Sequence, residues 1–338
     1  MSQFRPSFGK IAVFFIFVIL ISFAHPFAAS AHDDTTNVHK KIVQRVEEGI
    51  NKGDLTGFDV LFAPDFVNQG ISPKMGITEF KAYLSTIRDA LPDFQSTTEV
   101  MIAEGDIVAS RLIYSGTFKN PLVQPDGNLA PNGKPIKWAL NVFYRFDKDD
   151  KIVEMLTAYD QLDLLTQFGA SSTNGLLSLI GRPKLQSIKV VPAKTLDLES
   201  AHKEVFQRFV EKALNQGELD VMDEILSADY IGHDPFANLD RASFKQVIGK
   251  FREIVPDLHV TADILIAEGD WTAARLIYRG TFKNKIALPF VAIEPTNKPV
   301  QFIINVFAHI DEKGQATEDW KEFNRLVWLQ QVGVLPTS

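Results

Sequence analysis

The chain has 338 residues, 45% of them hydrophobic and 23% charged, enough for about two domains with ordinary cores. Its formal charge of −7 and the lack of any basic block exclude a nucleic-acid footprint. It has no cysteine, which excludes disulfides, a thiol nucleophile and a thiolate-bound metal.

Arg5 and Lys10 precede an apolar run at 11–24, which is followed by Ala29, Ser30 and Ala31. A basic start, an apolar run and a small-residue site predict a secretory leader over 1–31, cut after Ala31. An uncleaved anchor is the alternative, but the run is shorter than the roughly 20 apolar residues of a span. No other segment is long and apolar enough to cross a membrane, so no membrane partner is expected after cleavage. The expected location is the periplasm or the external medium.

Beyond the leader, Ile42, Val46 and Ile50 recur at helical spacing and predict a helix over 38–51. A short helix is expected over 55–62 and a third over 77–90, stopped by Pro92. β-rich runs follow at 94–103, 107–119, 136–146 and 151–159. Between them lie the turn signals Glu104-Gly105-Asp106, Pro131-Asn132-Gly133-Lys134 and Lys148-Asp149-Asp150-Lys151. Residues 171–199, rich in Ser, Gly and Pro, read as a linker with some apolar residues able to dock. The pattern then restarts, with helices at 202–215, 219–226 and 241–254 and the strands after them.

The restart is a duplication. Ala103-Glu104-Gly105-Asp106 returns as Ala267-Glu268-Gly269-Asp270, Arg111-Leu112-Ile113-Tyr114 as Arg275-Leu276-Ile277-Tyr278, and Asn141-Val142-Phe143 as Asn305-Val306-Phe307. The offset is constant from Asn51/Asn215 to Gly169/Gly333. A period this long marks a repeated domain, not a solenoid. The expected domains are 36–170 and 200–335. Helices before strands in each indicate α+β, with an antiparallel sheet on helices. Both faces of the strand 107–119 are apolar, so one face should meet the helices and the other the partner repeat, forming an intramolecular pseudo-dimer.

The ordered series Asn51-x-Gly53-Asp54-Leu55, Asp65-Phe66-Val67, Pro92-Asp93, Ala103–Asp106, Arg111-Leu112, Gly116-Thr117 and the final Asp160–Gly169 motif resembles the SnoaL-like polyketide cyclases, relatives of which are called ester cyclases. It covers nearly all of each repeat. The resemblance implies two cone-shaped modules of the nuclear-transport-factor-two-like type, each with a curved sheet around an apolar pocket. It implies ring closure of a small hydrophobic carbonyl compound by a pocket carboxylate, often beside a histidine, with no cofactor and no metal. The family acid falls on Asp160 in the first repeat and on Asn324 in the second. The family histidine falls on Gln69 in the first and His233 in the second, so each repeat keeps half of the pair.

These residues have plainer readings as well. Asp160 and His233 are the candidate catalytic residues; Asp160 could equally be a structural acid at a strand end, and His233 a satisfied structural group. Arg111 and Arg275 suit a substrate carboxylate, or ion pairs with Glu154 and Glu318. Asn141 and Asn305, polar residues within apolar strands, must find a partner, ligand or backbone. Gln69 and Asn324 are further ligand-binding candidates. Tyr114 and Trp138 could line a cavity or simply fill a core, and Trp320 and Trp328 could partly fill the second pocket. Two functions fit: a cofactor-independent enzyme working in the first repeat through Asp160, or a non-catalytic binder of small apolar molecules.

Overall fold

In the computed structural model, the described residues are 27–338 without 71–73, 125–126, 171–198, 288–291 and 336–338. The predicted linker lies outside them apart from its last residue. So does the predicted leader, apart from the residues that open the first helix.

The first module runs α1 (Phe27–Lys52), α2 (Phe58–Leu61), β1 (Phe62–Gln69), α3 (Ile77–Ala90), β2 (Gln95–Glu104), β3 (Ile107–Thr117), β4 (Pro135–Phe146), β5 (Ile152–Ala158) and α4 (Gln161–Phe168). The third predicted helix and the four predicted strands are all present. A fifth strand, β1, joins them over the segment around Asp65-Phe66-Val67, and it pairs parallel to β5, giving the order β1-β5-β4-β3-β2. The other pairings in this sheet are antiparallel.

The second module repeats this plan. It has α5 (Glu199–Arg208), a π-helical continuation (Phe209–Gln216), α6 (Val221–Ile225), β6 (Leu226–His233), β7 (Asn238–Asp240) and α7 (Arg241–Ile254). There follow β8 (His259–Glu268), β9 (Trp271–Thr281), the short β10 (Ile286–Ala287) and β11 (Ala292–Ile293), β12 (Pro299–Ile310), β13 (Ala316–Glu322) and α8 (Arg325–Gln331). The main sheet has the order β7-β6-β13-β12-β9-β8.

The π-helical stretch has a cause in the duplication. His39 and His202 are both buried, and Lys40 and Lys203 pair with Glu268 and Glu104, so these positions correspond at an offset of 163. Asn51 and Asn215 correspond at 164. Each brackets the start of a strand, donating to the carbonyl of Ser96 or Val260 and accepting from the same residue's N–H. The second module therefore carries one more residue between these points. A wider helical turn absorbs it without shifting either end.

Strand alternation divides each sheet into two faces. Inner residues such as Leu112, Tyr114, Trp138 and Tyr144 join the helices in one core, and Leu276, Tyr278, Ile304 and Val306 do so in the other. Outer residues make a third core between the sheets: Val100, Ile102, Ile107, Ala109, Phe143 and Leu156 meet their counterparts 164 positions later. The expected pseudo-dimer is present, and its two halves pack on each other with approximate two-fold symmetry.

Candidate functional site

Most of the predicted polar site residues lie on the outer faces, between the modules. Asn141 and Asn305 bind each other's strands. Asn141 Nδ2 donates to the carbonyls of Asn305 and Trp320, at 2.8 and 2.9 Å, and Asn305 Nδ2 donates to those of Asn141 and Leu156 at the same distances. Arg111, almost wholly buried, donates from Nε to Glu99 at 3.1 Å and from Nη1 to Asn141 Oδ1 and Glu322 Oε1, both at 3.0 Å. Burial pushes the Glu322 carboxyl up to about 7, with Arg111 pulling it back down. Arg275 pairs with Asp263. The partners expected for these arginines are engaged elsewhere. Glu154 accepts from Arg145 and Gln69, and Glu318 lies 3.9 Å from His233 Nε2.

The leading residue of each repeat's final motif also faces the other module. Asp160 stands before α4 without capping it; its Oδ2 accepts from Arg325 Nε at 2.7 Å and Nη2 at 2.5 Å. Both side chains are buried, and Asp160 Oδ1 has no partner among the described residues. Burial raises the Asp160 carboxyl above its ordinary value, and Arg325 opposes that rise. At the symmetry-related place, Asn324 Nδ2 donates to Gln161 Oε1 at 3.0 Å, and Asn324 Oδ1 caps α8 at Val327. One junction is thus an ion pair and the other a pair of amides. His233 is on the outer face too. It stacks on Trp320 with centroids 5.0 Å apart and approaches Asn238 Oδ1 at 3.3 Å. Burial lowers its imidazole, while Asn238 and Glu318 raise it. Trp320 belongs to the core between the sheets, not to the second pocket. Trp328 does pack inside the second module, against Phe251 and Phe302.

Of the candidate catalytic and ligand-binding residues, Tyr114 and Trp138 face a module interior. They pack edge-on against each other at 5.4 Å, with Phe94 beside both. The Trp138 Nε1 is buried without a partner among the described residues. Deeper in this interior, Glu47 of α1 accepts from Ser96 Oγ and from Tyr144 Oη, the latter at 3.2 Å. Burial pushes its carboxyl up to about 7.

The second interior carries a different set. On β13, Asp319 and Lys321 are two apart and so share the inner face, opposite Trp320 and Glu322. Tyr230 comes from the inner face of β6. Tyr230 Oη donates to Asp319 Oδ2 at 2.6 Å, Lys321 Nζ donates to Asp319 Oδ1, and Lys321 Nζ lies 3.3 Å from Tyr230 Oη. The ammonium sits 4.2 Å above the ring of Phe244. Asp319 and Lys321 border an apolar cavity of about 30 Å³ that Phe206, Phe209, Leu276 and Val306 also line. Asp234 lies nearby; burial raises its carboxyl, with Lys321 acting against that.

Sequence reasoning missed this cluster because it belongs to no motif. A signal was available, however. At the corresponding places the first module has Phe66 for Tyr230, Asn68 for Gly232, Met155 for Asp319 and Thr157 for Lys321. Four inner-facing positions have changed together in two otherwise similar repeats.

A cleft of about 270 Å³ opens between the modules, lined in part by Gln69, Thr157, Arg275, Phe302, Asn324 and Val327. It brings together three of the predicted ligand-binding residues: Gln69, Arg275 and Asn324. Among the described residues no group of three or more His, Cys, Asp or Glu is placed to hold a metal, and no helix is long and apolar enough to cross a membrane.

No curated protein matches the chain. Solved structures do. TsrD from Streptomyces laurentii is 22% identical, with 40% of this chain and 97% of that one covered and a TM-score of 0.36. A SnoaL-like polyketide cyclase from Agrobacterium tumefaciens is 20% identical, with 39% and 98% covered and a TM-score of 0.32. The sequence profile of the SnoaL-like polyketide cyclases matches twice, at residues 40–168 and 204–332, together more than half of the chain. With both modules matched, the chain belongs to the SnoaL-like polyketide cyclase family.

Proposed function

We propose that this protein is an exported acid–base catalyst acting on a small hydrophobic carbonyl compound, and that the reaction runs in the second module. The observation that carries this reading is the buried Tyr230–Asp319–Lys321 cluster, of which Asp319 and Lys321 border an apolar cavity. Asp319 is the general base that removes a proton next to the carbonyl. Lys321 and Tyr230 are the donors that stabilise the enolate oxygen, in surroundings where water does not compete. In this reading the role expected of Asp160 passes to Asp319, because Asp160 is engaged by Arg325. His233 supports β13 from the outer face.

The test is exchange of the α-protons of butanone into deuterated water, followed by NMR. The wild type should accelerate exchange, and Asp319→Asn should lose about 100-fold or more, the usual size of a general-base contribution. Equal rates would overturn the assignment. Export rests on the basic, apolar and small-residue order of residues 1–31. Mass spectrometry of protein recovered outside the cytoplasm should give a chain beginning at His32.

The cleft between the modules favours a second reading, a ligand-binding role for Gln69, Arg275 and Asn324. Val327, half-exposed on its rim, offers a way to close it. Val327→Trp should abolish small-molecule binding seen by calorimetry while leaving exchange at Asp319 intact.

A further inference from the structure

Lys321 has more chemistry available than charge balance. Its ammonium is held between a carboxylate, a phenol and an aromatic face, in a cavity that is otherwise mainly apolar. The fold does not require this arrangement. The first module packs Phe66, Asn68, Met155 and Thr157 at the same four places, all buried. Buried ion pairs are commonly neutral or unfavourable relative to packed apolar groups.

Gly232 explains how the three groups come together. A Cβ at this position would lie 2.6 Å from Tyr230 Oη and 3.1 Å from both Asp319 Oδ1 and Lys321 Nζ. The bare backbone of Gly232 therefore lets the amine, the acid and the phenol pack close against it and against one another. In the first module Asn68 places a side chain there instead, and Thr157 donates to it at 3.2 Å.

Resting on the placement of the reaction in the second module, we propose that Lys321 is a covalent catalyst that captures neutral aldehydes and ketones of a few carbons as an iminium. Asp319 takes a proton from the ammonium, and the freed nitrogen pair attacks the carbonyl carbon. The C–N bond forms while the C=O π pair moves to oxygen, which Tyr230 protonates, and the phenolate takes a proton back from the new N–H, leaving a neutral carbinolamine. Asp319 then returns its proton to that oxygen. It leaves as water as the nitrogen pair closes the C=N bond. An ammonium and a carbonyl become an iminium and one water, with no oxidant or reductant consumed. The nitrogen carries +1 before and after the net step, so Asp319 is its counter-ion at both ends. A keto acid would bring another carboxylate beside Asp319 and Asp234, and like charges at that range are disfavoured. Neutral carbonyl compounds are therefore the substrate class.

The full chain is treated with propanal and cyanoborohydride, which reduces an iminium to a stable secondary amine, and the modified lysines are mapped by peptide mass spectrometry. Lys321 should be propylated about tenfold faster than Lys148, whose side chain is 87% exposed. Lys321→Arg should remove that site while leaving the labelling of Lys148 unchanged. Gly232→Ala should slow labelling at Lys321 without changing Lys148, and glyoxylate should label Lys321 more slowly than propanal. An unmodified Lys321 in the wild type, with Lys148 labelled, overturns the proposal. If butanone exchange still depends on Asp319 in that case, the acid–base reading stands alone; if exchange is also absent, both fall.

Discussion

The two module interiors began as copies and now differ in where their polar groups come from. In the first, the acid is Glu47 on a helix, satisfied by Ser96 and Tyr144 within a dense aromatic core. In the second, Val210 takes the place of Glu47, Val260 that of Ser96 and Ala308 that of Tyr144, while Tyr230, Asp319 and Lys321 arise on strands. Between the modules, by contrast, the paired asparagines and the twelve-residue apolar core are retained nearly in register. The shared face is constrained because each residue there must fit its own counterpart. The interiors have no such constraint and have been free to diverge in chemistry.

This comparison can be broken at several points. The largest effect is expected for Lys321→Met, which strands Asp319 as an uncompensated buried charge. It should cost about 3–5 kcal/mol in chemical denaturation. A cost below about 1 kcal/mol would mean that the second interior is not the closed, charge-paired environment described.

Next is the pH dependence carried by Glu47. Burial lifts its carboxyl from the ordinary glutamate value of 4.5 to about 7 in the folded protein. The stability it contributes is fully present below about 4.5 and is lost as pH rises through about 7. That window corresponds to about 3 kcal/mol. Glu322 is raised by burial to about 7 and acts in the same direction. The informative quantity is therefore the difference between wild type and Glu47→Gln. The variant should fall less in stability between pH 5 and pH 8, and parallel pH curves for the two proteins would contradict the burial argument.

A smaller change is expected when the second interior is rebuilt as the first, with Tyr230→Phe, Gly232→Asn, Asp319→Met and Lys321→Thr together. Thermal and denaturant melts should show a fold as stable as wild type or up to about 3 kcal/mol more so, with proton exchange lost. The smallest effect concerns the junctions. Gln161→Arg with Asn324→Asp copies the Asp160–Arg325 ion pair to its symmetry-related place, which is half-buried. Stability should move by no more than about 1 kcal/mol.

Much of the fold was legible because period and punctuation survive duplication. The helix at 77–90 has apolar spacing and a Pro stop, and the strand runs have turn signals at both ends. β1 and β6 were not legible as strands. They follow a helix without a break, and they pair with a distant strand in parallel, which leaves no local hairpin signature. The π-helical turn at 209–216 was hidden for a different reason, since a single added residue does not disturb apolar spacing enough to be seen.

The site was harder to read. Asp160, Asn141, Arg111 and His233 were singled out because polar residues in apolar or motif-rich stretches attract notice. Asp160, Asn141 and Arg111 are held by backbone carbonyls or an opposite charge on the face between the modules, and His233 by Asn238 and the Trp320 ring, which only the pairing of the sheets makes visible. Tyr230, Asp319 and Lys321 fall in unremarkable surroundings, and Asp319 and Lys321 sit beside Trp320 in a strand of mixed polarity. Alternation along β13, set against the Met155 and Thr157 of the first repeat, is the pattern that separates them.

The most direct test of the account compares two carboxylates in one assay. Asp160→Asn and Asp319→Asn, each checked for folding by circular dichroism, are measured for α-proton exchange of butanone. The account predicts that Asp160→Asn keeps the wild-type rate within about twofold and Asp319→Asn loses about 100-fold or more. Loss of exchange in Asp160→Asn with retention in Asp319→Asn would contradict it, returning the chemistry to the first module.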